Sequence, residues 1–295
     1  MRRFFLIVVA VMFLFNAGAI DALGQESSPG DIRVYWKEGL RLDSSDGNFK
    51  LKIGGRLMND WGWLTEDEGI RGEFGRLKDG VEFRRVRLYN SGIINQTGFY
   101  KLQIDFATGQ VSFKDVYLGI KGLGALGQLT IGQFKEPFSL EELTSSNYIT
   151  FLERSLVNTF APSRMTGMML NSSVMDGRST WAVGLFRPTS GVGKMTGDAG
   201  YSFTGRISHQ VPLGDAGKDL IHLGIAGSHR NLAEPRLLFQ ARPEHHLSSR
   251  FLNTSYFPST YYRLLGTEAA LVLDRLSLQG EYVLTNIDHF PGDDL

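Results

Sequence analysis

Residues 49–63 read FKLKIGGRLMNDWGW and sort by parity almost without error. Phe49, Leu51, Ile53, Leu57, Trp61 and Trp63 fall on one side, and Lys50, Lys52, Arg56 and Asp60 on the other. Successive side chains of an extended strand point to opposite faces, so this segment is a period-two strand. Its apolar face ends in two tryptophans, whose rings are apolar over most of their surface and carry one N–H donor, the combination favoured where a bilayer meets water. The opposite face is basic. A strand of about ten residues, apolar outside and charged inside, is the unit from which a transmembrane β-barrel is made.

The amino terminus fits export. Met1, Arg2 and Arg3 precede an unbroken apolar run from Phe4 to Phe15, and small residues follow at Ala17-Gly18-Ala19 and Ala22-Leu23-Gly24. This is the pattern of a secretory signal peptide over residues 1–24, with cleavage after Gly24 or Ala19, and the run is shorter than the ~20 apolar residues of a spanning helix. Cysteine is missing from the sequence. That excludes a disulfide framework, a thiol nucleophile and a lipid-modified N-terminal cysteine. The 31 basic residues balance the 31 acidic ones, so the charge of the whole chain says nothing about partners and its distribution matters more. A soluble β-sandwich could share this composition. It would not share repeated long strands whose polar face stays charged, because a sandwich buries one face and wets the other in runs of about 5–6 residues.

Residues 25–48 form a polar lead, expected as a periplasmic N-terminal segment, with a short apolar alternation (Ile32, Val34, Trp36) and a turn at Asp43-Ser44-Ser45-Asp46-Gly47. Residues 49–295 are expected to be barrel. After the first strand, Phe83–Ile93 places Val86 and Leu88 outward and Arg85, Arg87, Tyr89 and Ser91 inward. A tight turn at Asn95-Gln96-Thr97-Gly98 leads into Phe99–Ala107, where Tyr100, Leu102, Ile104 and Phe106 alternate with Lys101, Gln103 and Asp105. Eight further strands bring the count to roughly eleven, in the antiparallel meander of an all-β transmembrane barrel. Short connections (near Asn95, and at 122–127, 172–178, 212–219 and 274–275) alternate with long ones (64–80, 135–163, 187–199, 230–261), as between the periplasmic and outer rims of such barrels. Only Thr108-Gly109-Gln110 is short where a long loop is due. An odd strand count and the ending Phe290-Pro291-Gly292-Asp293-Asp294-Leu295 lead to the expectation of a barrel truncated at its C-terminal side, since a barrel cannot leave an open edge in lipid.

The segments FKLKIGGRL, FRRVRLYNSG, YKLQIDFA, FKDVYLGIKG, LTIGQFKEPFSLEELTSSNYITFLERSL and LQGEYV resemble the phosphate-selective porin O and P family. The likeness runs from about Tyr35 to the C-terminus and is most specific over Gly132–Leu156. It implies a sixteen-stranded, trimeric outer-membrane porin of which this chain covers roughly the first two thirds. It also implies a basic lumen that leads phosphate or polyphosphate to a central zone narrowed by an inward-folded loop.

The residues reach a compatible place on their own. Arg56, Arg85, Arg87, Lys101 and Arg206 all fall on the polar parity of their strands. A pore lined by Arg and Lys favours anions, and the guanidinium fork suits phosphate because it donates two parallel hydrogen bonds without losing its proton. The competing reading makes them lumenal salt-bridge partners, with Asp105 and Asp115 neutralising Arg85, Arg87 and Lys101. Asp105 repels phosphate unless paired, and can keep binding weak enough for release. Loop 135–163 carries Lys135 and Arg154, with Arg164 just past its end, among Glu136, Glu141, Glu142 and Glu153 and the apolar Tyr148, Phe151 and Phe160. Loops of this length are usually functional, and the interior of the barrel is where its apolar residues can be buried. Lys135 and Arg154 are therefore its constriction candidates; a surface cap is the alternative.

Enzyme chemistry finds little purchase. Outer-membrane phospholipases use a Ser and a His on the lipid-facing side, and His209 has outward parity, but no Ser on an adjacent strand stands out. The other histidines show no metal-binding spacing. No catalytic residue, metal or cofactor is expected. The expected protein is an anion-preferring diffusion porin of the bacterial outer membrane, passing phosphate or polyphosphate, in contact with outer-membrane lipid, homotrimeric at full length and binding no nucleic acid. A structural or adhesive barrel is the alternative, with a phospholipase-type enzyme behind it.

Overall fold

The computed structural model describes residues 31–198, 200–214, 219–243 and 245–288. The expected signal peptide, His289 and the ending Phe290–Leu295 lie outside these residues. The strands in chain order are β1 (Ile32–Trp36), β2 (Leu40–Ser44), β3 (Phe49–Gly62), β4 (Gly80–Ile94), β5 (Gly98–Asp105), β6 (Ser112–Lys121), β7 (Gln128–Lys135), β8 (Arg164–Val174), β9 (Ser179–Arg187), β10 (Ser202–Leu213) and β11 (Asp219–Asn231). Four two-residue strands follow within one long loop: β12 (Arg236–Leu237), β13 (Gln240–Ala241), β14 (Leu252–Asn253) and β15 (Phe257–Pro258). Then come β16 (Tyr261–Leu273) and β17 (Leu276–Ile287). Two short helices, α1 (Glu68–Phe74) and α2 (Leu140–Leu143), lie in loops. No helix among the described residues is long and apolar enough to cross a membrane, which does not bear on strands.

Thirteen strands form one antiparallel sheet in the order β1 to β11, β16, β17. Each strand pairs with its neighbour in sequence, the meander expected for this class, and the sheet is open because β1 and β17 do not meet. The two strands beyond the expected eleven are β1 and β2. Residues of the polar lead thus pair with β3 through Leu40↔Ile53 and Leu42↔Leu51, and Ile32, Val34 and Trp36 carry the apolar outer face onto β1.

Alternation sets the two faces. Leu57, Trp61 and Trp63 stand outward on β3, with Trp63 75% exposed; Leu118 on β6 (63%) and Leu278 on β17 (66%) continue the same apolar surface. The exposed apolar side chains thus form one belt that runs from strand to strand over the outer face. The inward positions of the same strands carry Lys101 and Asp105 on β5, Tyr117 on β6 and Glu281 on β17. The rims differ as the connection lengths require. At one end the chain reverses in a few residues; three residues separate the paired Ile94 and Gly98, and Asn95 and Gln96 both have positive φ (50° and 61°), as tight hairpin turns require. The other end carries the long loops 63–79, 136–163, 188–201 and 232–260.

Loop 136–163 touches both sides of the sheet. Asn147 accepts a hydrogen bond from Arg56 on β3 (2.5 Å), while Phe138 packs on Ala226 of β11 and Leu264 of β16. One loop can reach strands that far apart in a thirteen-stranded sheet only if the sheet curls into a trough around it. Ala161, Tyr262 and Val283 complete the apolar cluster about Phe138, so the core of this molecule lies inside the trough, beneath the loop. Loop 232–260 spans the mouth in the same way. His246 Nδ1 lies 2.8 Å from both carboxylate oxygens of Glu82 on β4, and the neighbouring His245 ring sits where a side chain at Gly62 of β3 would be, with a Cβ there only 2.5 Å from His245 Cε1.

Candidate functional site

The inner face of β3 to β8, with loop 136–163 and part of loop 232–260, encloses a cavity of about 990 Å³. Twelve Lys and Arg line it against four Asp and Glu. Because the chain as a whole carries 31 residues of each sign, this excess is a matter of placement and not of composition.

Two β-bulges concentrate charge here. On β4, Met58 pairs with Arg85 but Asn59 with Phe83, so Arg84 is an extra residue in the ladder. On β6, Leu102 pairs with Val116 but Ile104 with Phe113, leaving Lys114 and Asp115 opposite the single Gln103. A bulge breaks strict alternation and re-aims the inserted side chain. Consecutive charged residues, Arg84-Arg85 and Lys114-Asp115, therefore all face the cavity, where unbroken alternation would send one of each pair to the apolar outer face.

Of the lining carboxylates Glu38 takes Lys52 alone (3.4 Å), while Asp115, Glu142 and Glu153, together with Asp105 just behind the lining, each hold two cations. Asp115 takes Lys101 (2.6 Å) and Arg164 (2.7 Å). Asp105 takes Arg87 Nε (2.6 Å) and lies 3.9 Å from Lys114, while the backbone N–H groups of Val86 and Ala107 also donate to it. Glu142 lies between Lys135 (3.7 Å) and Arg154 (3.6 Å), whose side chains also donate to backbone carbonyls of α2 and Thr144. Glu153 spans Arg84, through both guanidinium nitrogens that face it, and Arg85 Nη2 (3.2 Å). Arg56 has no carboxylate within ion-pair distance among the described residues and is held by Asn147 instead. The arrangement fixes eight cations with four carboxylates and leaves a surplus of positive charge facing the cavity. Opposed charges brace the donors, and the surplus is available to a mobile anion.

The sequence model of the phosphate-selective porin O and P family matches residues 51–294. The chain belongs to this family. Porin O of Pseudomonas aeruginosa is 25% identical over 234 residues, which cover 76% of this chain and 51% of the relative. The chain thus spans about half the length of this curated relative.

Within this porin-family fold, Arg56, Arg85, Arg87, Lys101, Lys135, Arg154 and Arg164 all line the one cavity, and Asp105 stands behind Arg87. Arg206 does not join them. It points inward from β10 as its parity requires, but pairs with Glu268 of β16, which also meets His222 at 2.8 Å. The expected neutralisation is partly redistributed: Arg87 and Lys101 do pair with Asp105 and Asp115, whereas Arg85 pairs with the loop residue Glu153. Sequence reasoning passed over Arg84 and Lys114. Their signal was present as two charged neighbours inside a strand, with the apolar parity switching from Val81 and Phe83 to Val86 and Leu88 across the first pair.

His209 has a serine beside it after all, since Ser179 Oγ lies 2.7 Å from its Nδ1 across the β9–β10 pair. His209 is exposed and Ser179 half-buried, near the short-turn rim, and among the described residues no side chain bonds the other ring nitrogen.

Proposed function

We propose that this chain forms the wall of an outer-membrane diffusion porin that prefers anions, with phosphate or polyphosphate as its solutes, and that it works as a channel rather than an enzyme. The observation that carries the reading is the twelve-to-four excess of cations around the cavity of a chain with no net charge. In a low-dielectric wall such a ring lowers the energy of an anion far more than water-exposed charges would, and it repels cations by the same amount. Arginine supplies most of the ring, and its planar fork matches the paired oxygens of phosphate.

In this reading loop 136–163 makes the constriction, braced on one side by Glu136 and Phe138 and presenting Glu142, Asn147, Glu153 and Arg154 on the other. Arg56, Arg84, Arg85, Arg87, Lys101, Lys114, Lys135 and Arg164 line the path, and Arg206 serves the wall. Residues 1–24 direct export, the apolar outer face meets outer-membrane lipid, and the full-length protein assembles as a trimer as its family resemblance implies. The test is the full-length protein in planar bilayers. Under a potassium chloride gradient the reversal potential should report anion preference, and added phosphate should block the chloride current. Cation preference, or a chloride current indifferent to phosphate, would overturn the reading.

A further inference from the structure

The four carboxylates that brace the cavity are not equivalent. Asp105 and Asp115 stand on strands β5 and β6, and Glu142 belongs to α2 with its side chain only 4% exposed. Glu153 alone belongs to a stretch of loop without regular structure, next to Phe151 and Leu152, which are 72% and 55% exposed. Its carboxylate does what a phosphate entering the cavity would do. It accepts from two nitrogens of Arg84 and from Nη2 of Arg85, the adjacent pair that the β4 bulge turns inward. Carboxylate and phosphate each present a pair of oxygens to the same guanidinium fork, so they compete for it.

We propose that Glu153 is a built-in competitor for the Arg84–Arg85 seat, displaced by each permeating anion and returning behind it, and so the residue that sets how tightly phosphate is held. This rests on the porin reading above. The loop need not move for the exchange. Arg154, the next residue, is tied by its side chain to the carbonyls of Glu141 (2.8 Å) and Thr144 (2.7 Å), and Ser155 donates to the Glu141 carboxylate (3.0 Å), which fix the backbone on the C-terminal side. The Glu153 side chain can then leave by rotation about its own bonds, a motion far faster than loop rearrangement. Other cations lie close to the seat: Arg56 from β3, Arg87 from β4, Lys114 from β6 and Arg154 from the loop itself. With cations in the majority around it, a dianion that dislodges Glu153 is still stabilised. Conduction needs binding that is favourable enough to enter and weak enough to leave, and an internal counter-ion supplies the second condition without removing an arginine.

The experiment uses the full-length porin in planar bilayers, with inorganic phosphate as the probe, and compares the wild type with Glu153→Gln. Glutamine keeps the shape and one acceptor but removes the competing charge. The expected result is phosphate block of the chloride current at about tenfold lower phosphate concentration, the change that corresponds to about 1.4 kcal/mol. An unchanged or weakened block in the variant overturns the proposal, because a residue that only braces the arginines would leave the seat looser. If Glu153→Gln does not assemble, Glu153→Asp keeps the charge and shortens the reach by one methylene; its block should tighten by a smaller factor, and weakened or unchanged block again overturns the proposal. A wild type that phosphate does not block defeats the porin reading itself, whereas a blocked wild type matched by its variant defeats only the role of Glu153.

Discussion

The two halves of the trough use the same residue types to opposite ends. Around β3 to β8, four carboxylates each brace two cations, and Arg56 has no carboxylate partner among the described residues. Around β10 to β17 the inward groups are Glu136, Glu268 and Glu281 against Arg206, Arg230 and His222. There Glu136, fully buried, takes Arg230 (2.8 Å) and the Thr204 hydroxyl (2.6 Å), and Glu281 accepts from Ser139 Oγ (2.7 Å) and the Glu141 N–H (2.5 Å). The first half keeps charge in excess and turns it toward open space. The second half consumes its charge in pairs, some holding the loop down and Arg206, Glu268 and His222 tying strand to strand. An ion pair thus has no fixed meaning in such a wall; what decides is the ratio of the two signs and whether a cavity lies beside them.

Each half can be perturbed separately, and the comparison fails if the effects cross over. The largest expected effect is on stability in the anchoring half. Glu136→Ala leaves Arg230 buried without its partner, a loss of about 3–5 kcal/mol, and should lower the temperature at which the full-length protein shifts from folded to unfolded mobility on a gel, with anion preference retained. Next comes Arg206→Ala, which leaves Glu268 with His222 alone. A loss of about 1–3 kcal/mol in stability is expected, read by the same gel shift, and phosphate inhibition should not change. Arg56→Ala should do the reverse. Because Arg56 is bonded to an amide and not to a buried carboxylate, the melting transition should stay in place while phosphate block weakens about tenfold, the size of one charge-assisted hydrogen bond of at least 1.4 kcal/mol. A melting loss from Arg56→Ala, or a selectivity loss from Arg206→Ala, would mean that the halves are not divided in this way.

Much of this was legible in the residues. Strand parity placed Leu118 and Leu278 outward and Lys101 and Glu281 inward, because lipid tolerates almost no charge and the pleat admits only two faces. It could not place Arg206 among or apart from the other arginines, since parity states the face of a strand and not the height along it or the carboxylate waiting two strands away. The strands β1 and β2 are five residues each, too short to stand out from a polar lead until Leu40 and Leu42 are seen to pair with β3. The role of Glu153 was out of reach for a further reason: a loop has no period, so nothing in its spacing says which strand residue it will meet.

The bulges on β4 and β6 carry one more consequence. A strand read in steps of two behaves like a text with a reading frame, and an extra residue shifts that frame for everything beyond it. Phe83 and Val86 are three positions apart and both meet the outside, as do Phe113 and Val116. A second charge has entered the lumen at each place without any downstream residue needing to trade sides. A single-residue deletion at Arg84 would therefore spare the pattern on both flanks, while the same deletion a few residues further along β4 would turn part of the strand inside out. In such a wall, the positions that look most irregular are the ones where length can change with the least damage.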